Sequence, residues 1–174
     1  MLAEARKDLR HNRVFYVCGS AEELALRDDS VDVVFISMAF HHFVDPHSVA
    51  VQCSRVLRDG GRVCLRTASR EKIAKYPYVP FFPTSVSLLE QRLPSLGFQS
   101  EVFEAASFRI VFSGEITQQV APDFGVYADK LATKADSILV SLNDRDFDEG
   151  LARVRAMTTP RPVVEPIDFV VFEK

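Results

Sequence analysis

The chain has 174 residues, 47% hydrophobic and 26% charged, with a net charge of -3. That is enough for one compact domain with a single core. Acids and bases are mixed along it with no basic stripe to neutralise a phosphate backbone, which argues against a nucleic-acid partner. No apolar run reaches the roughly 20 residues that cross a bilayer, and the three cysteines, Cys18, Cys53 and Cys64, are too few and too scattered for a disulfide framework or a zinc site. They read as small buried hydrophobes in a reducing, cytoplasmic setting.

Leu2, Ala5 and Leu9 share one helical face with no capping residue before it, so a helix is under way at the first residue. Arg13 to Cys18 is a short β-rich run ended by Gly19-Ser20. Ala21 to Leu26 reads as a brief turn or helix, and Asp28 to Ser30 as a loop. Val31 to Ile36 is almost continuously apolar, as expected of a parallel strand buried on both faces. Asp45-Pro46 predicts a helix N-terminus, with Asp as the cap and Pro in the first turn. Val49, Cys53, Val56 and Leu57 form its apolar stripe, and Asp59-Gly60-Gly61 ends it, because glycine takes positive φ without steric cost. Arg62 to Thr67 is the next strand. Strands joined by crossover helices predict an α/β fold with a parallel sheet.

Residues 68–83 combine Pro77, Pro80 and Pro83 with Tyr76, Tyr78, Phe81 and Phe82. This is an ordered loop, since flexible linkers are poor in aromatics. It is either a lid over an apolar ligand or an aromatic cluster packing the end of the sheet. Helices follow from about Thr84 to Arg92 and from Ser95, its candidate cap; residues 68–107 together form the expected lid region. Phe108, Ile110 and Phe112 alternate in a strand, with Gly114 as a candidate bulge. A helix is expected from about Pro122. Asp146-x-x-Glu149 resembles a capping box opening another, with Phe147, Leu151 and Val154 inward. The alternation from Ile167 to Phe172 is a last strand.

No nucleophile triad, phosphate loop or metal spacing stands out. His41 and His42 are adjacent, and neighbouring side chains are expected to point apart, unlike a chelating i, i+4 pair. Three runs carry more: Gly19-Ser20-Ala21-Glu22-Glu23-Leu24 before Asp29-Ser30-Val31-Asp32-Val33-Val34; Ser37-Met38-Ala39-Phe40-His41-His42-Phe43 before Asp45-Pro46; and Arg55-Val56-Leu57-Arg58-Asp59-Gly60-Gly61-Arg62-Val63. In this order and spacing they resemble class I S-adenosylmethionine-dependent methyltransferases, specifically the type 11 group. The resemblance is densest over residues 14–67.

The resemblance implies a Rossmann-like sheet, mostly parallel with its last strand antiparallel, flanked by helices in a single domain over 1–174. It implies S-adenosylmethionine as cofactor and a small-molecule methyl acceptor. It assigns Ser20, Ala21 and Glu22 to the loop that cups the adenine ring. The family more often has Asp where Ser20 stands, so a weaker, uncharged contact is expected; the other reading is that Ser20 only caps its turn. It puts Ser37 and Met38 in the stretch leaving the fourth family strand, where donor and acceptor meet. His41 and His42 are candidate catalytic bases, with a pKa near working pH; the other reading has one packed and one solvated. Methyl transfer demands an aligned acceptor in a dry pocket more than a catalytic constellation.

The family's G-x-G-x-G turn and the acid that holds the ribose are not in this sequence, whose glycines are at 19, 60, 61, 97, 114, 125 and 150. The family pattern picks up at Met1-Leu2-Ala3-Glu4-Ala5, just past that acid. Family strands one and two would lie between the 13–18 and 31–36 strands. Three expectations follow: cofactor binding and activity weakened in this chain, an apolar edge at 31–36, and either self-association through that edge or docking of 13–18 beside 31–36. The alternative function is a non-catalytic interaction module of the same fold.

Overall fold

A computed structural model describes residues 14–174; the expected helix containing Leu2, Ala5 and Leu9 lies outside them. Four strands form one sheet: β1 (Val31–Ser37), β2 (Leu57–Thr67), β3 (Arg109–Ala121) and β4 (Val163–Glu173). Their spatial order is β1-β2-β4-β3. β1 and β2 are parallel, and β4 runs antiparallel to both β2 and β3. Three strands therefore point one way and the last in sequence is reversed, as expected. The helices are α1 (Pro46–Val56), α2 (Ser85–Arg92), α3 (Leu96–Ala105), α4 (Phe124–Ala132) and α5 (Asp144–Arg155).

α1 starts where the sequence says. The Asp45 carboxylate accepts from the backbone N–H groups of His47 and Ser48, and Pro46 follows. Val49, Ala50, Cys53 and Val56 are buried. The helix ends at Val56, before the expected Asp59-Gly60-Gly61 stop, and the chain passes straight into β2, inside which Gly60 has φ +73°. A side chain on Gly61 would stand 2.7 Å from the Arg58 carbonyl oxygen, so that glycine is required by close approach. α1 and α3 cover one face of the sheet. Their core joins Phe40, Leu57, Val63, Leu65, Phe103 and Phe172, with the Phe103 and Phe172 rings stacked at 4.6 Å. A second core lies beyond the carboxyl end of β2. There the segment from Ala68 to Phe82 packs with α2, α4 and α5 through Tyr76, Tyr78, Phe82, Tyr127, Phe147 and Leu151.

Several expectations fail for identifiable reasons. Residues 14–18 form no strand. They are exposed, Phe15 at 84% and Val17 at 74%, and do not dock on β1. So short a β-rich run forms a strand only when a neighbour supplies its ladder, and none does among the described residues. β1 is not buried on both faces: Ile36 is buried, while Val33 is 57% and Phe35 60% exposed. Residues opposite one another in a sheet share a face, so register links Phe35, Cys64, Val171 and Phe112 in one row across all four strands. No described element covers that row, and β1 is a sheet edge. Cys53 is buried, which pushes its thiol up to about 12, but Cys64 is only half-buried and Cys18 is exposed. Gly114 sits in the β3 ladder opposite Phe169; the irregularities fall at 110–112 and 119–121 instead. Asn143, not Asp146, caps α5, accepting from the Asp146 backbone N–H.

Candidate active site

The site residues gather where β1 ends. The Met38 backbone N–H donates to the Arg66 carbonyl at 2.8 Å, carrying the β1–β2 pairing one residue past the strand. Met38 itself takes φ +52°. A left-handed conformation costs a non-glycine residue roughly 1–2 kcal/mol, and it turns the chain sharply off the sheet. A 3-10 turn over Phe40–His42 follows. Phe40, 2% exposed, anchors the turn among the rings of Phe43, Phe98 and Phe103.

The expectation that the two histidines point apart does not hold. Their ring centroids are 4.0 Å apart, and both line one cavity of about 300 Å³. His41 is half-buried and His42 exposed. The His41 Nδ1 atom is buried without a hydrogen-bond partner. Burial first, and His42 second, hold the His41 pKa below the ordinary 6.5, so the ring is neutral at pH 7. No cluster able to hold a metal ion occurs among the described residues.

Met38, Tyr76, Tyr78, Asp136 and Glu165 line the same cavity. Tyr76 and Tyr78 are stacked, with centroids 6.3 Å apart, and burial raises the pKa of both hydroxyls. Glu165 comes from β4 and Asp136 from the loop after α4, and no motif singles out either. Each is separated from the histidines by most of the chain, and no local spacing betrays such a pairing.

The other half of the candidate site lies before β1. The Ser20 hydroxyl donates to the Glu22 carboxylate and accepts from the Glu22 backbone N–H at 3.2 Å. Glu22 Oε1 in turn accepts from the Val44 N–H at 3.1 Å. Ser20 thus caps its own turn, and Glu22 ties that turn to the loop carrying the histidines. The Ser20 hydrogen bond is the main cause of a Glu22 pKa below the usual carboxylate range. Arg55 of α1 fixes the following segment by donating to the carbonyls of Leu24 at 2.7 Å and Leu26 at 2.8 Å. Ala21, Ser37, Ala39 and Phe43 line a second, largely apolar cavity of about 420 Å³. Ser37 also accepts from Arg66 at 3.1 Å.

Residues 1–65 match the family model described as a methyltransferase domain. The chain is 35% identical over 103 residues to a malonyl-[acyl-carrier protein] O-methyltransferase of Methylococcus capsulatus, covering 53% of this chain and 37% of that protein. It is 28% identical over 176 residues to a Mycolicibacterium smegmatis protein described as an S-adenosylmethionine-dependent methyltransferase, covering 89% of this chain and 66% of the relative. Over residues 1–65 the chain is thus similar to the methyltransferase domain family. It spans 37% and 66% of the lengths of those two relatives. The fold agrees with the crystal structure of an Anabaena variabilis protein described as a methyltransferase from an antibiotic biosynthesis pathway. The TM-score is 0.73 at 20% identity, over 98% of this chain and 78% of that one.

The methyltransferase cofactor can be tested against the residues present. An apolar slot of about 420 Å³ walled by Ala21, Ala39 and Phe43 suits the flat face of a purine. The Ser20 hydroxyl and the Glu22 carboxylate are already bonded to each other, and neither lines that slot. The glycine-rich turn that would take the cofactor's amino-acid end is not in the sequence.

Proposed function

We propose that this chain carries the acceptor pocket and the adenine-side wall of an S-adenosylmethionine-dependent methyltransferase acting on a small molecule. One observation carries the reading: the single segment Ser37–His42 borders both cavities. Ser37 and Ala39 line the larger one with Ala21, and Met38, His41 and His42 line the smaller. In an open α/β sheet, ligands bind beyond the carboxyl ends of the strands, which is where this segment leaves β1. S-adenosylmethionine supplies a methyl group already activated by sulfonium charge. The protein's part is to hold the acceptor, keep it dry and receive a proton. His41 Nδ1, neutral and unpartnered, is the proposed proton acceptor. Tyr76 and Tyr78, from the segment over 68–83, wall the smaller cavity, which supports a lid role for residues 68–107.

Cofactor affinity in this chain is proposed to be weak, because only the adenine end finds a fitting wall. The test is calorimetry with S-adenosylmethionine and S-adenosylhomocysteine, then methyl transfer to a panel of small acceptors. Weak binding of both that is abolished by Ala21→Trp supports the reading; binding untouched by that variant contradicts it.

A second reading rests on a different observation. β1 is an edge, and its Val33 and Phe35 lie bare on the open sheet face. An apolar edge of this kind favours pairing with another chain. In this reading the domain is an interaction module that self-associates through β1. Among the described residues no helix is long and apolar enough to cross a membrane, and a cytoplasmic setting is part of both readings.

A further inference from the structure

The cavity of about 300 Å³ carries groups that the methyl-transfer reading does not use. Glu165 and Asp136 both line it. One oxygen of each is occupied: Glu165 Oε1 accepts from Gln118 Nε2 at 2.5 Å, and Asp136 Oδ1 accepts from the backbone N–H groups of Ile138 at 2.7 Å and Leu139 at 3.3 Å. The second oxygen of each has no hydrogen bond among the described residues. Two cations stand close, Arg92 in the cavity wall, where its charge helps to lower the His41 pKa, and Arg66, whose charge works against the burial that raises the Glu165 pKa, but neither is hydrogen-bonded to Glu165 or Asp136 among the described residues. Arg92, exposed at the rim, donates to the Ser137 carbonyl at 2.9 Å and to Ser141 Oγ at 2.7 Å. Arg66 donates to Gln118, the same side chain that holds Glu165.

An acidic pair alone would not make a site, since it could be solvated. Here two further polar atoms on the same wall are buried and unpartnered: His41 Nδ1, and the hydroxyl of Tyr76, a residue only 5% exposed. Buried polar groups are nearly always paired, so such orphans mark a place where a ligand or water completes the bonding. The stacked Tyr76 and Tyr78 rings add aromatic surface, which attracts cations.

Resting on the methyl-acceptor reading of this cavity, we propose that its ligand is a small amine bound as the ammonium ion, donating to Glu165, Asp136 and His41 Nδ1 against the Tyr76–Tyr78 rings. The ammonium gives one proton to His41 Nδ1, which frees the nitrogen lone pair that takes the methyl group. An alcohol offers a single donor to these three acceptors and no charge for the two carboxylates. A carboxylate ligand would be repelled by both. A neutral imidazole leaves His41 able to accept.

The test uses three probes of one shape and different charge: 2-phenylethylamine, 2-phenylethanol and 3-phenylpropanoate. Each is titrated into the full chain at pH 7.5 by calorimetry, without any methyl donor. The amine should bind at least tenfold more tightly than the alcohol, with the carboxylate weakest. Glu165→Gln should weaken the amine about tenfold and leave the alcohol unchanged. Asp136→Asn should act in the same direction, with circular dichroism verifying that each variant is folded. The proposal is overturned if the alcohol or the carboxylate binds as tightly as the amine, if none of the probes binds, or if both variants weaken amine and alcohol alike. A separate titration with S-adenosylhomocysteine keeps the two readings apart. Donor binding without amine binding removes the amine and leaves the methyl-transfer reading; amine binding without donor binding does the reverse.

Discussion

Gly150 lies inside α5, where a glycine normally weakens a helix by about 1 kcal/mol relative to alanine. Propensity alone therefore says that Gly150→Ala stabilises the protein. The packing says otherwise. A Cβ at this position would stand 2.3 Å and 2.4 Å from two ring carbons of Phe82, and no carbon approaches another that closely. Phe82 is 1% exposed and cannot swing to solvent without losing its burial. Overpacking of this kind costs roughly 1–3 kcal/mol, more where the ring is also drawn out of the core. Setting about 1 kcal/mol of helix gain against it leaves a net loss of up to roughly 2 kcal/mol. For a chain of this size that lowers Tm by up to about 8 °C. Phe82 also packs in the core with Tyr76 and Tyr78, so ligand affinity at the cavity those tyrosines line should fall with it. Thermal unfolding of the single variant, and of Gly150→Ala combined with Phe82→Leu, provides the assay. The double variant should recover part of the loss made by the first change. A Gly150→Ala protein more stable than the parent would refute the packing argument.

Other outcomes follow from the same structure. Phe35→Glu places a charge on the bare face of the edge strand. If the chain self-associates there, sedimentation should show the variant shifted toward monomer, and an unchanged distribution would exclude β1 as the contact. The folded-state pKa of His41 is depressed, so its contribution to stability is present above the unfolded value near 6.5 and is lost as pH falls through the folded value. Unfolding midpoints measured from pH 7.5 down to 5 should fall less steeply for His41→Gln than for the parent. Burial, opposed by the Gln118 hydrogen bond, raises the Glu165 pKa above the ordinary carboxylate value. Binding of 2-phenylethylamine should therefore begin to fail, as pH is lowered, above the pH at which a solvated carboxylate protonates. Glu165→Gln should flatten that dependence.

The elements nearest the site were the most legible. Asp45-Pro46 fixed the start of α1 because cap and first-turn chemistry are local, whereas Asp59-Gly60-Gly61 does not mark its end: the helix stops at Val56 and the glycines lie inside β2. Where two local signals compete, sequence reading fails: Asn143 and Asp146 both suit a cap, and only the fold shows that Asn143 accepts the bond. The 14–18 run carries good strand residues, but a strand is a property of a pair, and the described residues give it no partner. Val31 to Ile36 read as buried on both faces, yet burial of the Val33 and Phe35 side depends on a covering element, which composition cannot show. Within the site, the 37–42 segment was found because its residues are consecutive. Glu165 and Asp136 reach the same cavity only through tertiary folding, and Ser20 proved to be engaged by Glu22 two residues away.

The central claim is that the chain turning off β1 divides an adenine-side slot from an acceptor cavity. A backbone amide NMR titration with S-adenosylhomocysteine tests it directly. Weak, saturable shifts concentrated at Ser20–Glu22 and Ser37–Ala39 are the predicted result. Shifts confined to the open sheet face around Val33, Phe35 and Phe112, or no shifts at either of the two predicted segments, would contradict it.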